Sequence, residues 1–246
     1  MRSGVLLFVA LTLILVVARL PASTMDHTAR ALSGERLRVL DTTGTFWRGS
    51  GMLAVDDRQR GPIAMRRIEW QFAPSWQRGG LTLQLAEHGR PQAGVLVTGG
   101  GVSLHQLALD LPLELLAGAT THPAGRAGWR GRLDFGSPGL TCDWRGRCDG
   151  ALRVHWSDAG LDILPERHLG SHEIRLQARG TDFDIDVRTL DGELRIDGSG
   201  RFDLHGQFAF NATVEGDPDI VDRIPNVMDR NARRLDHPGR VAITLP

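Results

Sequence analysis

Two cysteines, nine histidines and 29 carboxylates are the side chains with which this chain could do chemistry. Cys142 and Cys148 have five residues between them in Thr141-Cys-Asp-Trp-Arg-Gly-Arg-Cys148. A redox dithiol usually has two residues between its cysteines, and a zinc site would need two further ligands at matching spacing, which are not evident. The pair flanks a short polar loop with Gly146 near its middle, so the cysteines can face each other across a hairpin. A structural disulfide is expected, kept oxidised outside the cytoplasm, with free thiols as the alternative. The histidines never fall in His-Glu-x-x-His or another metal spacing, and His105 and His155 read as surface residues of strands. Asp182, Asp184 and Asp186 alternate with Phe183, Ile185 and Val187. They therefore project from one face of a strand, whereas a calcium loop wraps its oxygens round an ion. Gly49-Ser50-Gly51 and Gly198-Ser199-Gly200 are too tight for the Gly-x-Ser-x-Gly elbow. Gly99-Gly100-Gly101 is not followed by Lys and Ser or Thr, as a phosphate loop would be. No nucleophile–base pair is legible, so no catalytic, cofactor-binding or metal residues are assigned and an enzyme is not expected.

Any site must be positioned by a repeated strand. Seven times a glycine is followed by apolar residues at every second place. The copies begin at Gly51, Gly79, Gly131, Gly150, Gly192, Gly200 and Gly206. Gly150-Ala-Leu152-Arg-Val154-His-Trp156 is typical. A period of two marks a strand with one face buried and one in water. The leading glycines are expected to supply the backbone angles of turns between strands. No βαβ alternation occurs, which excludes a parallel doubly wound sheet. The expected fold class is all-β. It is a long, curved, mostly antiparallel meander, open or partly closed as a barrel or groove, with a short helix near the C-terminus. That helix is read from Ile220, Val221, Ile224, Val227 and Met228, interrupted near Pro225. Leu107, Leu109, Leu111, Leu113 and Leu115 keep the strand period, but Pro112 would cost a ladder bond in a central strand. This stretch reads as an edge strand or an extended turn into a short helix.

All 29 basic residues are Arg, and they balance 29 Asp plus Glu in a chain of 246 residues. A neutral balance over the whole chain argues against nucleic acid or an acidic membrane surface as an obligate partner. The absence of Lys and Tyr matches a GC-rich bacterial genome, since the codons for both are AT-rich. At the N-terminus Arg2 precedes an uncharged, almost wholly apolar run from Gly4 to Ala18, followed by Arg19. Fifteen helical residues span about 22 Å, against the roughly 30 Å of a bilayer core. Extension through Ala22 nearly closes the gap if Arg19 snorkels to the interface. A cleaved signal peptide, cut after Ala22, and a retained anchor both remain open. Either carries the rest of the chain across the inner membrane. The expected organisation is a signal-anchor or transmembrane segment over residues 1–22 and a periplasmic β-rich domain over 23–246. The loop composition of Gly118 to Gly128 marks a subdivision near 118–128.

Gly44-Thr45-Phe46-Trp47-Arg48-Gly49 follows the apolar segment, which ends in Leu20-Pro-Ala-Ser23. Ile68-Glu-Trp70 comes next, then Gly150-x-Leu152-x-Val154-x-Trp156-x-x-Ala159, Leu169-Gly170 and Leu190-x-Gly192-Glu-Leu194. A last strand lies near Val241 and Ile243. On these residues nearly the whole chain resembles protein N of the type II secretion system, also called general secretion pathway protein N. The Gly-Thr-x-Trp-x-Gly element is the most specific part, and Ser171 stands where the pattern has an aromatic. The resemblance implies a single-pass inner-membrane protein with its bulk in the periplasm, which helps to export folded proteins across the outer membrane of a Gram-negative cell. It implies partners among other secretion-system subunits, in the inner-membrane platform or the outer-membrane secretin, and no catalysis. Gly44, Thr45, Trp47, Gly49 and Trp70 are the candidate interaction positions, with core packing as the other role for the two tryptophans. An open meander also offers edge strands for strand addition. The alternative function is a periplasmic β-groove that binds or shuttles lipid or another hydrophobic ligand, lined by the odd leucines from 107 to 115. A periplasmic hydrolase comes third.

Overall fold

A period of two gives each strand one apolar and one polar face, and the chain stacks such strands side by side in antiparallel hairpins. The structure is a computed structural model that describes residues 8, 11, 12, 15–57, 61–113, 129–161, 168–203, 206–221 and 231–245. It divides into two units, Met1–Leu96 and Val97–Pro246. The expected boundary at 118–128 lies outside the described residues.

In the first unit, helix α1 (Thr24–Ser33) leads to β1 (Leu37–Gly44), β2 (Arg48–Asp57), β3 (Gly61–Ser75), β4 (Gly80–Glu87) and β5 (Arg90–Thr98, which runs into the second unit). Strand order follows chain order, and β1–β2, β2–β3 and β3–β4 are antiparallel. The core gathers Ala22, Val39 and Trp70, with Met25, Ala29, Leu53, Ile68, Phe72, Leu83 and Leu85 packed round them. The outer edge of β1 is occupied by α1. Asp26 accepts the Val39 backbone N–H at 2.8 Å, and Ser33 Oγ accepts that of Leu37 at 2.8 Å. Arg38 binds the same Asp26 carboxylate. Those bonds, the Arg38 contact first, hold the Asp26 pKa below its ordinary value against the effect of burial.

The second unit continues with β6 (Gly101–His105), β7 (Leu107–Pro112), β8 (Trp129–Asp143), β9 (Cys148–Leu161), β10 (Gly170–Gly180), β11 (Asp182–Asp191), β12 (Arg195–Asp203) and β13 (Phe208–Glu215). The four-residue helix α2 (Pro218–Val221), β14 (Ala232–Arg234) and β15 (Arg240–Leu245) complete it. The order is β6-β8-β9-β10-β11-β12-β13-β15-β14, with β7 also on β8. Neither unit's strand order returns to its first strand, so the described strands leave the meander open. Only Ile220 and Val221 of the expected C-terminal helix are described; Ile224, Val227 and Met228 lie outside the described residues. β6 and β7 face successive stretches of β8, and the break falls at Gln106, whose φ is 53°. Pro112 is the last residue of β7, where loss of its N–H matters least. Leu113 packs against the core of Leu133, Val154, Trp156, Leu169, Leu194, Val214 and Val241. Leu115 lies outside the described residues.

The glycine copies are not all turns. Gly79, Gly192 and Gly206 lie in turns with positive φ, but Gly51, Gly131, Gly150 and Gly200 lie inside strands. There the missing Cβ makes room. On Gly51 it would stand 2.7 Å from Val39 Cγ1, and on Gly200 2.5 Å from the Ala209 carbonyl. The rhythm therefore marks close approach between strands as often as it marks a turn.

Phe8, Leu11, Thr12 and Leu15–Ala18 of the apolar N-terminal run are helical and exposed. Among the described residues, no helix is long and apolar enough to cross a membrane.

A histidine sits at the heart of the second unit. His172 is 0 % exposed, its ring tilted on Trp156 with centroids 5.2 Å apart. Nδ1 lies 2.9 Å from Thr189 Oγ1, which also accepts the Ile196 N–H at 2.7 Å. Nε2 has no partner among the described residues. Burial pushes the imidazole pKa below its ordinary 6.5. The neighbouring Glu173 projects to the other face, where Arg175 at 2.5 Å and Arg188 at 3.0 Å hold its carboxylate. Chiefly through Arg175, and against desolvation, its pKa is lowered. The sign for His172 follows from linkage: the unfolded chain takes up a proton near 6.5 while the folded chain resists it. Stability contributed by keeping this ring neutral is intact above about pH 7.5 and declines as pH drops through the mid-6 range. Thermal melts between about pH 8 and about pH 5.5 should show a fall in Tm for the wild type and a shallower one for His172→Gln. Parallel curves would assign the pH sensitivity to other groups.

Candidate functional site at the Gly44–Gly49 turn

The turn joining β1 to β2 contains Thr45, Phe46 and Trp47 between paired strand ends. Gly44 and Gly49 face each other in the register. Gly44 has φ +93°, and a Cβ there would stand 2.6 Å from the Arg48 carbonyl. Thr45 closes the loop: its N–H donates to Arg48 O at 2.9 Å, and its Oγ1 accepts the Arg48 N–H at 3.2 Å. Gly49 lies opposite Trp70 of β3, and its missing side chain leaves the place that the indole takes. A Cβ would sit 2.7 Å from Trp70 Cζ2 and 2.6 Å from Thr43 O. Trp70 is 2 % exposed, and its Nε1 donates to Phe46 O at 3.0 Å. Phe72 N donates to Trp47 O at 2.7 Å. Phe46 and Phe72 stack with centroids 5.1 Å apart, and Trp47 meets both edge-on.

This aromatic turn holds the exit of the N-terminal segment. Trp47 Nε1 donates to Val17 O at 2.8 Å, and Phe46 N donates to Leu20 O at 2.9 Å. Pro21 bridges Thr45 in antiparallel fashion, and Ala22 N donates to Gly44 O at 3.3 Å. Ala22 itself is 3 % exposed, in the same core as Trp70. The structure thus brings Gly44, Thr45, Trp47, Gly49 and Trp70 together. Trp70 is a core residue, and Trp47 is half-buried between the turn and the segment. Beside the turn a polar hollow of about 330 Å³ is lined by residues including Arg48, Ser50, Glu69 and Gln84. Its Ser50 hydroxyl is bonded to that of Thr43 at 2.9 Å, which ties it to a neighbour rather than to a base.

Cys142 and Cys148 are joined by a disulfide, Sγ to Sγ 2.10 Å, at the end of the β8–β9 hairpin. Its tip is fixed by Asp143, which accepts the backbone N–H groups of Arg145 and Arg147, and by Trp144, whose Nε1 donates to Thr98 O at 3.2 Å. The Arg147 backbone bond is the first cause of a lowered Asp143 pKa. Of the three alternating aspartates, Asp184 is paired with Arg201 at 3.0 Å and with Arg179 at 3.7 Å. Among the described residues, no group of three His, Cys, Asp or Glu is placed to hold a metal ion.

Sequence reasoning missed two things here. It did not foresee that Phe46, Phe72 and the carbonyls of Val17 and Leu20 complete the turn. It also passed over His172, although Ser171 was the position where an aromatic was expected. The β10 register shifts between Ser171 and His172, so the ring that meets Trp156 comes one place later.

A family model for the type II secretion system (T2SS), protein N, matches residues 35–244. The chain belongs to that family. The match begins just after α1 and takes in the whole turn from Gly44 to Gly49 together with Trp70, and all fifteen strands lie within it but for the last residue of β15. Neither a curated protein nor a solved structure matches the chain. Family membership makes the chain a component of type II secretion, which works at the cell envelope with other secretion components.

Gly49→Ala tests the turn. The added Cβ meets a backbone oxygen and a buried ring, so a loss of about 1–3 kcal/mol is expected in chemical denaturation. Gly99→Ala, whose Cβ meets nothing within 4 Å, should leave the midpoint unchanged. Equal midpoints for the two variants would show that Trp70 does not need Gly49.

Proposed function

We propose that the chain is an accessory, single-pass inner-membrane component of the type II secretion machinery, with most of its length in the periplasm. The observation that carries this reading is the family match joined to an apolar N-terminal run whose exit is built into the fold. Phe8, Leu11, Leu15, Val16 and Val17 turn apolar side chains outward, which suits lipid and not water. Residues 1–22 act as the anchor and 23–246 as the periplasmic part. The role is one of contact, without catalysis, with the platform subunits or the outer-membrane secretin as partners. Gly44, Thr45, Trp47, Gly49 and Trp70 support those contacts by fixing the shape of the turn.

The geometry narrows how partners are met. The β1 edge is blocked by α1, so strand addition there would require the Asp26 and Ser33 bonds to break. β14, at the other end of the strand order, is three residues long and exposes Arg233 and Arg234, a charged short edge of the kind that resists casual pairing. Turns and faces therefore carry the proposed contacts more readily than these edges do.

Clean deletion of the gene should lower export of reporter enzymes through the type II pathway, and the tagged full-length chain should co-purify with platform or secretin subunits from detergent extracts. Unchanged export after deletion, with no secretion subunit retained on the tag, would overturn the reading.

A further inference from the structure

In the first unit the strands alternate in direction, so their connections fall at two opposite ends. The β1–β2 turn and the β3–β4 turn lie at one end; the β4–β5 turn at His88-Gly89 lies at the other. The chain from Leu20 to Ala22 runs antiparallel to Gly44–Phe46, so, followed backwards, it leaves the unit at the first of these ends. The apolar N-terminal run therefore departs from the end that carries Trp47 and Trp76.

Trp76 is the most exposed large apolar side chain described, at 88 %. It sits in the tight turn Trp76-Gln-Arg-Gly79, where Arg78 N donates to Ser75 O at 3.1 Å. β3 carries it past the Trp47 turn: Phe72 is bonded to Trp47, and four further residues reach Trp76, about 13 Å at roughly 3.3 Å per residue. The charged residues nearest the two turns are arginines, with Asp41 and Glu69 set further back along β1 and β3, Glu69 opposite Ser50. The stretches 17–25, 42–55 and 70–86 contain Arg19, Arg48 and Arg78 and no Asp or Glu. The opposite end carries both signs: Asp56 and Asp57 close β2, Glu87 closes β4 paired with Arg66 at 2.9 Å, and Arg90 opens β5.

We propose that this end of the first unit is a membrane seat, in which Trp76 and Trp47, flanked by Arg19, Arg48 and Arg78, rest in the headgroup layer of an anionic bilayer. The inference rests on the anchor reading given above and adds a second, independent contact between the folded unit and the lipid. Indoles favour the interface because an apolar ring and a polar N–H are both satisfied there. Each arginine near an anionic surface adds electrostatic attraction. A stalk alone would leave the unit free to swing about residues 19–22. The seat, with Trp47 clamped to Val17, fixes its tilt and its rotation about the anchor.

The test uses the full-length chain in vesicles of phosphatidylcholine and phosphatidylglycerol, spin-labelled singly at Trp76→Cys, Arg90→Cys or Leu11→Cys; the native cysteines are joined and do not take label. Collision with oxygen is compared with collision with a water-soluble nickel chelate. The label at 76 should favour oxygen several-fold more than the label at 90, which reports water, while the label at 11 reports the bilayer interior. A label at 76 as aqueous as that at 90, with 11 in the bilayer, would overturn the seat and leave the anchor standing. A label at 11 in water would overturn the anchor and the seat with it. Shielding at 76 that appears only when platform subunits are added would reassign the turn to a protein partner and overturn the lipid assignment.

Discussion

The indole of Trp70 lies so close to Gly49 that no Cβ fits between them, and its N–H reaches the Phe46 carbonyl in the turn beyond. A buried tryptophan removes roughly 200 Å² from water, about 5 kcal/mol at about 25 cal/mol per Å² as an upper figure. The single hydrogen bonds around it contribute about 1 kcal/mol each. The ring thus dominates, and the surrounding bonds orient what it has already placed. With Trp70 seated, the β1–β2 turn has one shape, Phe46 stacks on Phe72, and Trp47 is left pointing at the carbonyl of Val17.

The second unit uses the same device. Trp156 of β9 packs on Gly131 of β8, where a Cβ would stand 2.6 Å from Nε1, and that N–H donates to Arg130 O at 3.1 Å. In both units an indole crosses a bare glycine on the neighbouring strand and bonds to a carbonyl close by. The difference lies in what leans on the ring. Trp70 supports an aromatic turn at the end of the sheet, whereas Trp156 supports buried His172 in the middle of a core. One arrangement presents surface and the other stiffens the scaffold.

Much of the fold was legible because a two-residue period is a strong signal. Leu37, Ile68, Leu81, Leu152 and Phe183 all fall in strands where the alternation puts them. The open strand order was less so, since closure depends on which ends meet and not on any one strand. The glycines misled in part: sequence shows that a Cβ is absent but not whether a turn or a crossing ring requires it, and Gly51 and Gly200 belong to the second kind. The Gly44–Gly49 element could be found as a motif, yet its partners could not, because Val17, Leu20 and Phe72 lie up to thirty residues from it along the chain. His172 was hidden for a related reason. A register shift moves the ring one position from where spacing would place it, and burial of a polar ring leaves no periodic trace.

Strand order that follows chain order also sets a timetable. Within each unit most strands pair with the strand just made, so a chain released N-terminus first, from a ribosome or a translocation channel, meets its partners in the order in which they emerge. Loop closure is then short at nearly every step, the condition under which β pairing is quick. Two places break the schedule. β6 and β7 must wait for β8 across residues 114–128, and β14 finds its neighbour only when β15 has arrived, because β15 docks on β13 and β14 then docks on β15. The final strand is therefore the latch: until it seats, β13 has an open edge and β14 has nowhere to go.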